Sequence, residues 1–178
     1  MTEPVQLNEE LLDWARSAHY VSSVVDDDGD LQLRSEGGVP TRYYIRRRGR
    51  DRFELTQADD ADTVERPVLF VADLEVVQRH LVAVFADDIR DDLGMEFLDL
   101  PWDTADLAPD YELSGMVRGY RTLLRTGQGP VAAAPDPVLS RLTLVPLSHY
   151  LRWSIADLQE AFLDPGGAPL LRGGRFAL

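Results

Sequence analysis

"TRYYIRRRGRDRFELTQ", residues 41–57, is the stretch whose reading decides the architecture. Tyr43 and Ile45 fall on one side of an extended chain, while Tyr44, Arg46 and Arg48 fall on the other. A period of two describes a strand with one apolar and one polar face. Gly49 and Arg50, between this run and DRFELTQ, supply the turn of a β-hairpin. Upstream, YVSSVV (20–25) and LQLRS (31–35) enclose the acidic turn DDDGD (26–30), which reads as a second hairpin. Two hairpins in succession predict an antiparallel meander.

Helical patterns flank the meander. Asn8 reads as an N-cap, with Leu7 and Leu12 at the spacing of a hydrophobic staple and Leu11, Leu12, Ala15 and Ala18 as the apolar stripe. Residues 58–67 read as a polar linker and PVLFVA (67–72) as a buried strand. Asp73 then caps the strongest helix, in which Leu74, Val77, Leu81, Val84 or Phe85, and Ile89 recur up to Leu93-Gly94. Residues 95–112 read as loop. A strand pair is expected over 111–125 and 129–134, with a short helix over 114–125 as the alternative. Residues 137–151 fit helix or strand equally, because Pro146 interrupts them. The last helix opens at Ser154, with Asp157 three residues on and Trp153 and Leu158 as the staple, and stops at Asp164–Gly167. The expected fold class is α+β: an antiparallel β meander packed by a long central helix and by N- and C-terminal helices. One domain is expected over residues 1–178, with a smaller lobe around 95–135 as a variant of that plan.

Composition narrows the chemistry. A chain of 178 residues can bury a substantial core, and 44% hydrophobic with 28% charged residues describes a globular protein. No cysteine occurs, so disulfides, thiolate metal sites and a cysteine nucleophile are excluded. All 18 basic residues are arginine, which excludes Schiff-base lysine catalysis and suggests a genome rich in guanine and cytosine. The N-terminal stretch is acidic where a signal peptide is basic, and no apolar run approaches a membrane span, so the expected location is the cytoplasm.

The net charge is −13, yet residues 42–52 hold six arginines against Asp51. Nucleic-acid binding is disfavoured, because the acidic remainder would repel a phosphate backbone. The hairpin reading instead predicts that Arg46 and Arg48 share a solvent face and pair with the protein's own carboxylates, for instance those of the neighbouring hairpin. DDDGD fails as a calcium loop: with Asp26 and Asp28 as first ligands, the turn glycine falls on Leu31 and the final glutamate on Gly37. His19, His80 and His149 stand far apart, and none has metal-ligand spacing. His80 reads as a surface or boundary residue. His149 near Ser148 and Ser154 lacks a nucleophile elbow, so it reads as structural rather than hydrolytic. No cofactor or metal is expected, and nothing marks the chain as an enzyme.

The most informative stretch is DDIRDDLGMEFLDLPWDTADLAPDYE (87–112), with ten carboxylates and one arginine interleaved with Met95, Phe97, Leu98, Leu100 and Trp102. Its plain reading is a solvated helix end and a loop that tucks its apolar residues into the core. Its sharper reading is a recognition surface, in which aromatic anchors are buried by a partner and carboxylates steer a basic one. The candidate partner-binding residues are Asp91, Asp92, Phe97, Asp99, Trp102, Asp103 and Asp106, with Trp102 foremost.

Taken in order, WARSAHY (14–20), YYIRRRGRDRFEL (43–55), VLFVADLEVVQRHLVAVFADDIR (68–90) and TLVPLSHYLRWSIADLQEAFLDPGGAPL (143–170) resemble the actinobacterial immunity proteins of polymorphic toxin systems. Within these, the resemblance is to the family that includes the immunity factor of the tuberculosis necrotizing toxin, and it spans about residues 10–172. It implies a non-enzymatic antitoxin that binds a folded NAD-hydrolysing toxin domain, one to one, in the producing cell's cytoplasm and covers its NAD site. Carboxylates that imitate the phosphates of the dinucleotide are one route to such inhibition, with Asp99, Asp103 and Asp106 the groups to neutralise. The competing reading is an acidic secretion or effector chaperone that holds an amphipathic segment. No nucleic acid and no membrane enter either reading.

Overall fold

The computed structural model describes residues 3–25, 27–38, 40–59 and 64–178. Of the stretches read above, Asp26 of the acidic turn and residues 60–63 of the polar linker lie outside the described residues. Helix α1 (Glu9–Ser17) leads into strands β1 (Tyr20–Val24), β2 (Leu31–Ser35), β3 (Thr41–Arg47), β4 (Phe53–Asp59) and β5 (Arg66–Val71). Helix α2 (Leu74–Asp92) follows, then a 3-10 turn (Thr104–Asp106) and strands β6 (Tyr111–Leu113), β7 (Tyr120–Arg125) and β8 (Gly129–Pro135). Helices α3 (Leu139–Tyr150) and α4 (Ile155–Leu163) and a small ribbon of β9 (Leu171–Arg172) and β10 (Arg175–Phe176) complete the chain.

Eight strands form one antiparallel sheet in the order β1-β2-β3-β4-β5-β8-β7-β6. The first four are the expected meander, and β5, read from the sequence as a buried strand, extends it beside β4. The chain then leaves through α2 and returns at β8, which sets Phe70 opposite Ala133 and Val71 opposite Ala132. The register brings Leu31, Ile45, Leu55 and Leu69 into one cross-strand row, with Leu33 opposite Tyr43 beside it. All of these are buried beneath the helices. The Phe85 ring on α2 lies 4.7 Å from that of Tyr20 and 6.4 Å from that of Tyr43, and Trp14 Nε1 on α1 donates to the Val82 carbonyl at 3.0 Å. Each such side chain contributes about 1.5–3 kcal/mol by leaving water, so the helix layer is fixed to the sheet mainly by area. The opposite face carries Gln32, Tyr44 and Thr56 in one row and Arg46, Glu54, Phe70, Ala133 and Thr122 in the next.

The expected caps are present. Asn8 Oδ1 accepts from the Glu10 N–H at 2.8 Å, Asp73 Oδ1 from Glu75 at 2.9 Å, and Ser154 Oγ from Asp157 at 3.0 Å. One boundary differs from the sequence reading, and two overlapping or open readings are decided. The polar linker is shorter, because Ala58 and Asp59 continue β4 and Arg66 and Pro67 begin β5. The loop over 95–112 ends in strand, because Tyr111 and Glu112 pair with Arg125 and Leu124. The region 137–151, which fitted either state, is helix in spite of Pro146. Pro146 removes the donor that would bond the Leu142 carbonyl, and Leu142 is 42% exposed, so water can satisfy that oxygen.

Near the N-terminus, the Val5 N–H donates to the Gly29 carbonyl at 3.1 Å. Gly29 sits at φ +79°, where a Cβ would stand 2.7 Å from Pro4 Cα. The N-terminal segment thus lies against the first hairpin's turn, and only glycine allows the approach.

Candidate functional site

The surface singled out by sequence is built on the end of α2, and its organiser is Arg90, 1% exposed. Its guanidinium donates to four carbonyls: Glu96 at 2.7 Å, Phe162 at 2.6 Å, Asp164 at 2.9 Å and Pro165 at 3.1 Å. A planar cation with several fixed donors suits such a cluster of acceptors. Arg90 therefore ties the chain leaving α2 to the end of α4. Sequence reading passed over it as the lone arginine among aspartates. Its spacing was a usable signal, since it stands four residues after Ala86 and eight after Val82, both buried.

Beyond this clamp the chain runs extended. Leu98 and Leu100 turn inward to a groove shared with Ala83, Leu142, Pro146 and Phe162, and Gly167 approaches closely enough that a Cβ there would lie 3.1 Å from Leu98 Cδ1. The intervening Phe97 and Asp99 point outward by the alternation of extended chain, and Phe97 is 63% exposed. Leu93, four positions before it, is 60% exposed, and Asp91, Asp92 and Glu96 are exposed as well. This end of the molecule displays apolar groups among carboxylates on backbone that is held in place.

Trp102, Asp103 and Asp106 are arranged differently. Trp102 is half-buried, with the Arg141 guanidinium 5.0 Å from its ring centre. Asp103 is exposed and lies 3.9 Å from Arg141, and the Asp106 carboxylate accepts from the Asp103 N–H at 3.2 Å. The Asp106 carbonyl accepts from His149 Nε2 at 2.7 Å, and the Ala108 N–H donates to Ser148 Oγ at 3.1 Å. The segment 102–108 is thereby fastened to α3. His149 is also stacked on Phe176 at 3.8 Å, and burial lowers its pKa. Ser148 Oγ donates to the Val145 carbonyl at 2.6 Å. Both side chains are engaged in holding the fold. Among the described residues, no group of three or more His, Cys, Asp or Glu could hold a metal ion, and no helix is long and apolar enough to cross a membrane.

Asp91 and Asp92 connect this surface to the sheet. Asp92 Oδ2 lies 2.7 Å from His19 Nε2, and Asp88, Asp91 and Asp92 line one hollow with His19, Tyr20, Gly37 and Thr41. The crowding has an electrostatic signature. Asp87 is raised above the ordinary carboxylate range, first by burial and then by Asp88, and Asp88 is raised first by burial and also by Asp92 and Asp91. Tyr20 is pushed up to about 12, first by burial and then by the charge of Asp88. Carboxylates gathered at the negative end of a helix dipole pay locally for a field that acts outside.

Two arginines of the hairpin, Arg46 and Arg48, are paired within the molecule. Arg46 Nε lies 3.0 Å from Asp30 of the first hairpin, and its other nitrogens bond Glu65, with Nη2 to Oε1 at 2.8 Å. Arg48 Nε bonds Glu54 at 2.5 Å. The bond from Arg46 is the first cause of a lowered Glu65 pKa. The expectation of intramolecular pairing with the neighbouring hairpin is met.

The family model described as Immunity protein 61 matches residues 14–170, almost the whole of this framework. The chain belongs to the Immunity protein 61 family. As an Immunity protein 61 member it is 28% identical to the Immunity factor for TNT of Mycobacterium tuberculosis (strain ATCC 25618 / H37Rv), over 96% of this chain and 95% of that protein. The same figures hold for the Immunity factor for TNT homolog of Mycobacterium bovis (strain BCG / Pasteur 1173P2). The solved structure of Rv3902c from M. tuberculosis superposes with a TM-score of 0.80 at 27% identity, over 96% of each chain. An antitoxin role follows for this Immunity protein 61 chain, and the α+β expectation agrees with the observed sheet and helices.

Proposed function

We propose that this Immunity protein 61 member binds a folded NAD-hydrolysing toxin domain in the cytoplasm, one to one, and covers its active site, with no chemistry of its own. The observation that carries the reading is the clamped surface at the end of α2, where Phe97 and Leu93 stand exposed among Asp91, Asp92, Glu96 and Asp99. An exposed aromatic on fixed backbone gives a partner an anchor that needs little further ordering, and the surrounding carboxylates accelerate the approach of a basic face. A standard interface buries about 1,600 Å² in total, so Trp102, Asp103 and Asp106 lie within the footprint as its packed margin. Resemblance to the immunity factor family and the charge of −13 point the same way.

Co-expression with an NAD-hydrolysing toxin domain tests the proposal. Growth is rescued, the two chains co-purify in equal amounts, and the purified antitoxin lowers NAD cleavage stoichiometrically. Loss of rescue with the folded antitoxin present at equal level, or inhibition that is catalytic rather than stoichiometric, overturns it. Within the mimicry idea Asp99 is the group to neutralise first, because Asp103 faces Arg141 and Asp106 caps its own turn.

A further inference from the structure

One end of the sheet is closed by β6, three residues long, and the other by β1, five residues long. Exposed edges are normally blunted by lysine, proline, bulges or brevity, because their free N–H and C=O groups invite another strand. Strand β1 has none of these. Its sequence, YVSSV, is uncharged, and its register with β2 runs unbroken from Tyr20–Ser35 to Val24–Leu31. The Val25 N–H donates to Asp30 and the His19 carbonyl accepts from Glu36, so the alternation sends the N–H and C=O of Ser22 and Val24 away from β2. Among the described residues nothing bonds those groups. Val21, Val24 and Val25 are 45%, 58% and 47% exposed.

A groove flanks this edge on each face. The inner one lies between α1 and β1, lined by Leu12, Ala15, Arg16, Tyr20, Ser22 and Leu33, the outer one is lined by Ser23, Gln32, Arg34 and Pro40, and Val21 and Glu36 border both. Free main-chain groups between two grooves are what an added strand requires, since its alternate side chains fall to either side. Both ends of the edge are acidic. Asp88, Asp91 and Asp92 surround the hollow at Tyr20, and Asp27 and Asp28 form the turn beyond Val25. Of the nearby cations, Arg16 is bonded to Asp13, His19 to Asp92, and Arg34 borders the outer groove beside Glu36. Antiparallel pairing with a second copy would set the acidic turn of each against the acidic hollow of the other, so self-association is opposed.

We propose that β1 is a docking edge that accepts, by β-strand addition, an extended segment of the partner protein in which small and β-branched residues alternate and arginine or lysine flanks each end. The inference rests on the antitoxin reading for the identity of the partner, and the hollow at Asp91 and Asp92 makes the edge continuous with the surface described above.

The test uses the full chain and a synthetic peptide of alternating threonine and valine flanked by arginines, with a glutamate-flanked peptide as its counterpart. Amide exchange at Ser22 and Val24 slows about tenfold at a peptide concentration about ten times its Kd, and the glutamate-flanked peptide has no such effect. Ser22→Pro removes one outward donor at an edge position where proline is tolerated, and Val24→Lys adds a charge while keeping every backbone group. Both lose the response, and Val24→Lys decides the matter if Ser22→Pro misfolds. Unaltered exchange, equal protection by the glutamate-flanked peptide, or protection that rises with protein concentration alone, which would mean a second copy, overturns strand docking. Because no toxin is used, peptide failure with intact growth rescue rejects the docking edge alone, whereas failed rescue with intact peptide binding rejects the toxin reading.

Discussion

Replacing Arg90 by methionine keeps most of the side-chain volume and removes every donor, leaving the carbonyls of Glu96, Phe162, Asp164 and Pro165 without it. Glu96 and Pro165 stand at exposed positions where water can take over, whereas Phe162 is 2% exposed and Asp164 is half-buried. The Asp164 carbonyl keeps its bond from the Gly167 N–H at 3.1 Å, so one orphaned acceptor, that of Phe162, at about 1–3 kcal/mol, with the lost packing between α2 and α4, gives a destabilisation of about 2–4 kcal/mol. That is a large share of the roughly 5–15 kcal/mol of a typical domain. With an m-value of about 2 kcal/mol per molar urea, the unfolding midpoint falls by about 1–2 M at unchanged m. Arg90→Lys retains the charge and some of the donors, so its midpoint lies between the two. Toxin affinity falls as well, because the backbone that presents Phe97 is no longer tied to α4. A midpoint shift for Arg90→Met below about 0.5 M refutes the account of Arg90 as the clamp.

Phe97→Ala weakens binding to a toxin domain by about 2 kcal/mol, or about thirtyfold in Kd by calorimetry, with the urea midpoint unchanged; a Kd within about twofold of the parent removes Phe97 from the interface. Gly29→Ala forces a Cβ against Pro4 at positive φ and lowers stability by about 1–2 kcal/mol, read as a drop in Tm. A parent-like Tm would show that the N-terminal segment can shift away. For Asp87, burial raises the folded-state pKa, so protonation favours the folded form: its contribution is fully present below the ordinary carboxylate pKa and is lost as pH rises through the raised value. Asp87→Asn is therefore more stable than the parent at pH 7, and the gap closes as pH falls through the carboxylate range; a pH-independent gap would assign the effect to something other than charge.

The hairpins were legible because a period of two is local, and Gly49 and the DDDGD stretch mark their turns. Caps at Asn8, Asp73 and Ser154 were legible for the same reason, since each bonds a backbone N–H two or three residues on. Helix α3 was not. From Leu144 to Tyr150 every residue is buried, so no amphipathic period survives to separate helix from strand, and Pro146 argued against the helix that packing imposes. Its N-terminal cap also escaped notice: Asp136 Oδ1 accepts from Val138 and Leu139 at 2.8 and 3.0 Å, which lowers the Asp136 pKa. In the candidate surface, composition singled out a segment but not its internal division. Which of Phe97 and Trp102 is the more exposed depends on Arg141, nearly forty positions further along, reaching over the indole, and on Leu98 and Leu100 turning inward.

The placement of β8 beside β5 has a consequence for how the molecule is made. A ribosome releases the meander from β1 to β5 first, and that half can zip up from neighbouring hairpins as it emerges. Phe70 and Val71 must then wait for Ala133 and Ala132, which are synthesised only after α2 and the whole stretch up to β7. Until then the nascent chain carries a bare apolar strand, PVLFV, at the growing margin of its sheet. Slow translation across residues 95–128 would prolong that interval, and the yield of functional antitoxin depends on β8 arriving before another nascent chain does.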